Sequence, residues 1–214
     1  MFVKKTAEIA GKTISIEVGK LARLAQGAAV VTLGETTVLA TVGEADPRPG
    51  IDFFPMTVEY REKTYAAGKI PGGFFKREGR PTTKEVLGCR MIDRPTRPLF
   101  KEGYLKDLQI ICNVLSYDGV NDADVLAGIG ASQSLMLAGI PLLGPVSWVR
   151  VGCFNGELTL FPDDSRLDQS ELDLVIAGTA SSISMVEAGA KQVSEQLMLD
   201  ALTLGHEAIK KICA

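Results

Sequence analysis

Cations gathered around two adjacent phenylalanines are the residues of this sequence best suited to chemistry. Residues 61–101 contain eleven lysines and arginines against four acids, a local charge of +7 in a chain whose total is −3. Within this segment, Gly72–Arg77 (GGFFKR) places two aromatic rings between a glycine pair and two cations. Cations bind phosphates by releasing counterions, and aromatic rings stack on unpaired bases of any identity. The pattern predicts a grip on single-stranded nucleic acid, with a solvated loop whose phenylalanines enter the core as the alternative.

Four arginines follow at spacings that place them around one predicted helix. They are Arg80, Arg90, Arg94 and Arg97. Arg90 and Arg94 are four residues apart and therefore share a helix face. A guanidinium group matches two phosphate oxygens at once, whereas a merely solvated face would more often carry lysines with interleaved glutamates. The arginine segment therefore predicts contacts with the phosphates of a nucleic acid.

Other catalytic patterns are weak in this sequence. The glycines lack the spacing of a Walker loop or a dinucleotide fingerprint. His206 is the only histidine, and it lies in a segment that reads as a helix, so we interpret it as structural. The acid pairs Asp122/Asp124 and Glu171/Asp173 could hold a divalent cation, but paired surface acids are usually only solvated. The residues alone indicate no catalytic group and no metal ligand.

Length and composition indicate a globular protein of the cytoplasm. The 214 residues suffice for one substantial domain, and the apolar fraction of 46% with 23% charged residues is ordinary. No window approaches the length of a membrane span, and the N-terminus has too short an apolar run for a signal peptide. The four cysteines contain no Cys-x-x-Cys pair, so we expect them reduced and buried. We therefore expect a cytoplasmic location and no membrane partner.

Strands dominate the first sixty residues and are mixed with helices afterwards. Alternating or continuously apolar runs predict strands at residues 12–18, 28–33, 36–42, 53–60, 107–115, 147–152, 157–161, 172–177 and 183–186. Hairpin turns are expected at Gly34-Glu35 and at Asn155-Gly156. The pattern predicts an α+β (mixed α/β) fold in which mixed β-sheets pack against helices.

Three helices are expected, and the first carries the arginines. Thr82 and Glu85 form a capping box that starts it, and Pro95 should end it at or before Arg94. The second is capped by Asn121 or Asp122 and reaches residue 137, with small residues that suit close packing on a sheet. The third covers residues 194–213. We expect residues 1–190 to form the core domain and residues 191–214 to begin a separate helical element.

Several motifs together resemble the polynucleotide phosphorylase family. They are Gly72–Pro81 (GGFFKREGRP), Glu85–Phe100 (EVLGCRMIDRPTRPLF), Asn121–Ala127 (NDADVLA), Asp173–Gly178 (DLVIAG), Met185–Ala190 (MVEAGA) and Gly205–Ile209 (GHEAI). The motifs span essentially the whole chain in order, and the arginine segment is specific by itself. The chain is similar to the first of that family's two RNase PH-like core domains. This resemblance implies a fold related to that of ribosomal protein S5 domain 2, with the C-terminal helix leading into the family's helical linker.

The resemblance implies a phosphate-dependent 3′→5′ exoribonuclease of mRNA degradation. Such an enzyme converts RNA and inorganic phosphate into nucleoside diphosphates, and it also runs in reverse as a nucleotidyltransferase that polymerises RNA. Inorganic phosphate is then the co-substrate and Mg²⁺ the cofactor of the full enzyme. Its partners would be single-stranded RNA, further copies of itself in a trimeric ring of paired domains, and RNA-degradation machinery.

The resemblance also assigns RNA-binding residues. In the family, the loop with the two phenylalanines projects into the central channel of the ring and holds the strand. The residues assigned in this way to the channel are Phe74, Phe75, Lys76 and Arg77, and those assigned to RNA phosphates nearer the active site are Arg80, Arg90, Arg94 and Arg97.

The chain departs from the family in its length and in its catalytic residues. The second core domain, which holds the phosphate-binding serines and the magnesium-binding aspartates, is not among the 214 residues. When the chain is aligned by eye with the related single-domain RNase PH, Asp122 stands where an arginine binds phosphate. Phe161 stands within the acidic segment that binds metal. We therefore expect no catalytic residue and no metal ligand in this chain, and chemistry in a second domain.

Three functions follow from these expectations. The favoured one is an RNA-gripping, ring-forming first domain of a phosphorolytic exoribonuclease. The alternatives are an autonomous enzyme of the RNase PH type and a non-catalytic ring subunit that only binds RNA or other subunits.

Overall fold

Ten strands form two β-sheets in the computed structural model, which describes every residue from Met1 to Ala214. The first sheet contains β1 (Val3–Ile9), β2 (Lys12–Val18), β3 (Gly27–Leu33), β4 (Thr36–Ala45), β5 (Met56–Glu62) and β6 (Asp107–Ser116), in the order β1-β2-β3-β4-β6-β5. The second sheet contains β7 (Ser147–Phe154), β8 (Glu157–Leu160), β9 (Leu172–Gly178) and β10 (Ile183–Ala190), in the order β10-β9-β7-β8. All neighbouring strands are antiparallel except β5 and β6, which run parallel.

Three helices complete the fold. They are α1 (Thr83–Thr96), α2 (Ala123–Leu137) and α3 (Glu195–Cys213), and three short 3₁₀ turns cover Thr64–Ala67, Arg97–Leu99 and Asp164–Gln169. The predicted α+β class is thus confirmed, and each predicted strand and helix has a counterpart. None of the helices has the length and apolar character that would let it cross a membrane.

Strand β1 (VKKTAEI) was not predicted, because most of its residues are exposed and Lys5 interrupts the apolar alternation of Val3, Ala7 and Ile9. Its hairpin with β2 turns through Ala10 and Gly11, whose φ angles are 51° and 75°. An alanine in this left-handed region gives no turn signal, whereas Asn155-Gly156 was recognised and does connect β7 to β8.

Strand β5 begins at Met56, three residues later than predicted. Pro55 has no N–H to donate to a strand ladder, although its carbonyl accepts from the backbone N–H of Leu108 at 2.9 Å. Phe54 lies outside the strand and packs instead against Phe100, with ring centroids 4.6 Å apart.

Helix α1 continues through Pro95 to Thr96, so the prediction that it ends at or before Arg94 is wrong. Proline lacks the N–H that would normally bond the carbonyl of Met91. The indole Nε1 of the buried Trp148 donates to this carbonyl at 3.2 Å. The missing helical hydrogen bond is therefore replaced by a side chain of β7, a contact between residues far apart in sequence.

Helix α2 lies between the two sheets, and its glycines allow the close approach. A Cβ atom on Gly128 would lie 2.4 Å from the Trp148 ring of β7, and one on Gly130 would lie 2.9 Å from Cβ of Ala40 in β4. Ser134 Oγ donates to the carbonyl of Ala40 at 3.0 Å. The predicted packing of small residues against a sheet is confirmed, and it occurs on both sides of the helix.

Helix α3 crosses the second sheet. Its residues Ala201, Ala208 and Ile209 are buried in the same hydrophobic core as the strands. A Cβ atom on Gly205 would lie 2.4 Å from Cδ1 of Ile176, so this helix also approaches its sheet closely. The division into a core domain of residues 1–190 and a linker element of residues 191–214 stays a prediction.

Candidate nucleic-acid interface

The basic segment between β5 and α1 forms an exposed loop that carries the phenylalanine pair at its tip. The side chains of Phe74 and Phe75 are 93% and 82% exposed, and their rings contact each other edge to face with centroids 5.4 Å apart. The alternative in which these rings enter the core is therefore wrong. Two large aromatic side chains held together in water are typical of a binding surface.

Hydrogen bonds fix the two ends of this loop. The carboxylate of Glu78 accepts from the backbone N–H and the hydroxyl of Thr64, at 2.9 and 2.8 Å. These two bonds lower the pKa of Glu78, so the carboxylate stays ionised. Arg61 donates to the carbonyl of Gly79 at 3.2 Å. The tip between these contacts includes Gly73, whose φ of 75° lies in the left-handed region.

The loop cations have no partner within the chain. Lys76, Arg77 and Arg80 are exposed, and none of them makes an ion pair or a side-chain hydrogen bond. Their N–H groups are free to meet phosphate oxygens. Charge and stacking surface are thus combined on one loop.

The capping box that orients α1 is present and also attaches the helix to β5. The Glu85 carboxylate accepts from Thr82 N at 2.6 Å, and Glu85 N donates to the Thr82 hydroxyl at 3.2 Å. The same carboxylate accepts from the backbone N–H of Glu62 at 3.0 Å. Because Glu85 is buried, this link holds the start of α1 against the strand.

The three arginines of the α1 region differ in what they contact. Arg90 is exposed and unpaired, and Arg94 reaches only Glu187 at 3.4 Å, with both side chains more than half exposed. Arg97 instead donates to both carboxylate oxygens of Asp93, at 2.8 and 2.9 Å. The structure therefore presents Arg90 and Arg94 on the outside of α1.

Arg97 is partly exposed, and its guanidinium is directed toward the beginning of β5. Its Nη1 donates to the carbonyl of Phe54 at 3.0 Å and its Nη2 to the carbonyl of Met56 at 3.1 Å. The guanidinium also lies over the Phe54 ring, 5.5 Å from the centroid. Arg97 thus joins the end of α1 to the beginning of β5, and its assignment to RNA stays a prediction.

A buried ion cluster around Arg150 of β7 was missed by the sequence analysis. Arg150 bonds Asp122 at 2.7 Å and Asp124 at 3.0 Å, and its Nη1 contacts both oxygens of Asp173 at 2.9 Å. The interpretation of these acids as merely solvated surface pairs is therefore wrong. The available signal was a single arginine within the apolar strand SWVRVGCF.

The cluster has an uneven charge balance, because three carboxylates surround one guanidinium. Burial, followed by the neighbouring Asp122, raises the pKa of Asp124 to about 8, although Arg150 opposes the rise. Burial alone would lower the pKa of Arg150, but the carboxylates reverse this and raise it above its ordinary value. One oxygen of Asp124 and Nε of Arg150 have no partner. The charge state of the cluster is therefore sensitive to pH.

Asp122 and Phe161 occupy structural positions. The Asp122 carboxylate caps α2 by accepting from Asp124 N at 3.3 Å, in addition to its bond with Arg150. The Phe161 side chain is buried, and its carbonyl accepts from Lys12 Nζ at 2.7 Å. These contacts explain what the two residues do in this chain.

Comparison with known families places the chain clearly. Residues 10–141 match the profile of the 3′ exoribonuclease family, domain 1, and residues 144–208 match domain 2 of the same family. The break between the two matches falls between the first and the second sheet.

The similar curated proteins are polyribonucleotide nucleotidyltransferases. That of Chlorobaculum parvum is 55% identical over 217 residues and that of Maricaulis maris is 53% identical over 210 residues. The alignments cover 100% and 98% of this chain. The chain spans only 30% of the length of each relative. The expected resemblance to this family is confirmed.

Two solved structures share the fold at low sequence identity. Rice (Oryza sativa) Rrp46 is 17% identical with a TM-score of 0.73, covering 98% of this chain and 90% of its own. A chain of the Archaeoglobus fulgidus exosome, solved with RNA bound to the active site, is 17% identical with a TM-score of 0.72, covering 93% of this chain and 86% of its own. These likenesses confirm the RNase PH-like fold.

The Arg150 cluster generates a prediction about pH. The folded-state pKa of Asp124, about 8, lies above its unfolded value of about 3.9. Between these values the folded chain binds more protons than the unfolded chain, so the free energy of unfolding falls as the pH rises. Asp124→Asn cannot ionise and should gain stability relative to the unchanged chain from about pH 5 to about pH 8, by at most about 1.4 kcal/mol per pH unit.

Urea unfolding at several pH values measures this difference. Glu157→Gln, which removes an exposed carboxyl group of β8, is the matched control. A difference between Asp124→Asn and the unchanged chain that stays constant with pH would show that Asp124 does not hold the proton.

Proposed function

The chain belongs to the 3′ exoribonuclease family, and from this membership we propose that it is the first core domain of a phosphate-dependent 3′→5′ exoribonuclease acting in cytoplasmic mRNA degradation. The proposed reaction consumes RNA and inorganic phosphate, releases nucleoside diphosphates and is reversible. In this proposal the present domain grips single-stranded RNA and contributes to a trimeric ring of paired domains. A second domain of the full protein supplies the chemistry.

The observation that carries the proposal is the exposed Phe74–Phe75 pair beside unpaired cations. Bases stack on aromatic faces whatever their identity, and each stacked base contributes about 1–3 kcal/mol to binding. Lys76, Arg77 and Arg80 supply charge without first breaking an internal ion pair. An exonuclease must hold every sequence it meets, and this mode of contact is independent of sequence.

The arginines of α1 extend the proposed contact surface. Arg90 is unpaired, and Arg94 has only a long, exposed contact with Glu187 that water and salt screen. Both can therefore exchange their present surroundings for a phosphate at little cost. Arg97 would affect RNA binding indirectly, by holding the end of α1 in place, since its N–H groups are already directed to Asp93 and to backbone carbonyls.

The acids around Arg150 do not fit a magnesium ion. Asp122, Asp124 and Asp173 all contact the guanidinium of Arg150, whose positive charge lies where a divalent cation would have to bind and repels it. We therefore derive no catalytic step through Mg²⁺ here, and we place the Mg²⁺ and the inorganic phosphate of the full enzyme outside these residues. Asp122 also opposes the binding of a phosphate at the N-terminus of α2 by charge repulsion.

Truncation of the phenylalanine pair tests the stacking contact. Phe74→Ala with Phe75→Ala should weaken binding of a labelled oligoadenylate by about 1–3 kcal/mol for each stacked base that is lost, with unchanged thermal unfolding. Fluorescence anisotropy measures the affinity. Phe53→Ala is the control, since it removes a phenylalanine that is 63% exposed and lies before the loop. Equal binding by the double variant and the control would refute the stacking contact.

Salt dependence separates the roles of the two arginines that follow Arg90. Arg94→Gln should reduce the slope of log affinity against log salt concentration by about 0.7, the value for one phosphate contact on a single strand. Arg97→Gln should mainly lower the free energy of unfolding, by about 1–3 kcal/mol, because it removes a charged donor from two backbone carbonyls and from Asp93. Anisotropy titrations at several salt concentrations and urea unfolding provide both readouts. An equal change of slope in both variants would contradict the assignment of a phosphate contact to Arg94 and a structural role to Arg97.

A phosphorolysis assay distinguishes the proposal from an autonomous enzyme. Poly(A) incubated with the 214-residue chain, inorganic phosphate and magnesium should yield no ADP, while the chain still binds RNA. The physical reason is that Asp122, Asp124 and Asp173 are engaged by the guanidinium of Arg150, whose positive charge repels a divalent cation. Steady release of ADP would establish the chain as a self-sufficient enzyme of the RNase PH type.

A further inference from the structure

A cavity of about 280 Å³ opens at the base of the RNA-binding loop. Its walls come from the 3₁₀ turn Thr64–Ala67 and its flanks, the beginning of α1, the end of β6 and the first residue of α2. This volume is close to the lower limit of small-molecule sites in proteins. The cavity is separate from the phenylalanine pair and from the exposed face of α1.

Two lysines bring unbalanced positive charge to this cavity. Lys63 and Lys69 line it, and neither makes an ion pair or a side-chain hydrogen bond. The third lysine of the lining, Lys84, is already bound to Glu62 at 3.0 Å. Burial would lower the pKa of Lys84, but the bond to Glu62 outweighs it and raises the pKa. Glu62 is therefore occupied, and two free cations remain for an anionic ligand.

The rest of the cavity wall is mostly apolar. It consists of Ala66, Ala67, Val114 and Ala123, with the side of Tyr117. The backbone N–H of Tyr117 donates to the carbonyl of Ala66 at 3.0 Å, which ties the turn to the end of β6. Small side chains on this wall leave room for a flat ring rather than filling the space themselves.

We propose that this cavity binds a free nucleoside diphosphate. Lys63 and Lys69 contact the phosphates, and the nucleoside lies against the alanine wall. A ligand with an anionic end and a flat, partly apolar end satisfies both halves of the lining, whereas inorganic phosphate would leave the apolar wall uncovered. The inference rests on the proposed function, in which a nucleoside diphosphate is the released product.

The position of the cavity connects its occupancy to the RNA-binding loop. Thr64 lines the cavity and also donates twice to Glu78 at the far end of the loop. A bound diphosphate would neutralise two cations of the basic segment that begins there. Thr64 therefore contacts both the proposed diphosphate site and the base of the loop proposed to hold RNA.

Isothermal titration calorimetry with ADP tests the site on the 214-residue chain. ADP should bind, and both adenosine and inorganic phosphate alone should bind at least about tenfold more weakly, because each satisfies half of the lining. Lys63→Gln with Lys69→Gln should weaken ADP binding by at least about tenfold for the same reason. The matched control is Lys5→Gln with Lys101→Gln, which removes two exposed, unpaired lysines that do not line the cavity and should leave ADP binding unchanged.

Titration of each variant with oligoadenylate separates this proposal from the RNA-binding function. Equal ADP binding by the cavity variant and the control would overturn the site while leaving RNA binding through Phe74 and Phe75 in place. A cavity variant that loses affinity for oligoadenylate but not for ADP would also overturn it, because Lys63 and Lys69 would then hold a nucleotide of the RNA strand. The ADP titration is independent of whether the Phe74 and Phe75 variants lose RNA binding.

Discussion

The fold depends on the burial of one side chain, Trp148, where the second sheet meets α1 and α2. Its ring occupies the space that a Cβ atom on Gly128 of α2 would need, and its indole N–H bonds the Met91 carbonyl that Pro95 leaves without a donor in α1. Complete burial of an aromatic ring, about 150–250 Å² at roughly 25 cal/mol per Å², contributes up to about 4–6 kcal/mol. Few single contacts in a domain of this size join as many elements.

The position of α1 follows from this contact and decides what the domain offers to a ligand. Trp148 holds one end of the helix near Pro95, and the buried Glu85 holds the other end against β5. The face between them turns Arg90 and Arg94 outward. On the same strand as Trp148, two residues later, Arg150 pairs with Asp122, Asp124 and Asp173. One strand thus fixes both the position of α1 and the ion cluster.

The Arg150 cluster and the exposed loop place the same residue types in opposite environments. Exposed cations on a tethered loop bind a polyanion with little reorganisation, since no internal ion pair has to break. A buried guanidinium surrounded by carboxylates is instead committed to the fold, because removing either partner leaves a buried charge unpaired. Arginine therefore serves as a free surface cation where it is exposed and as a structural ion-pair partner where it is buried.

The sequence by itself determined the class of fold, nearly all the strands and helices, the capping box at Thr82 and the basic loop that carries the two phenylalanines. Each depends on residues within a few positions of one another, and such spacings are visible in a single chain. Only the tertiary structure decided that α1 passes through Pro95, that Arg97 bonds the backbone before β5 and that Arg150 pairs with three aspartates. These outcomes depend on contacts between segments far apart in sequence. A proline's missing hydrogen bond or an acid's charge is compensated in three dimensions, by a partner that local pattern does not identify.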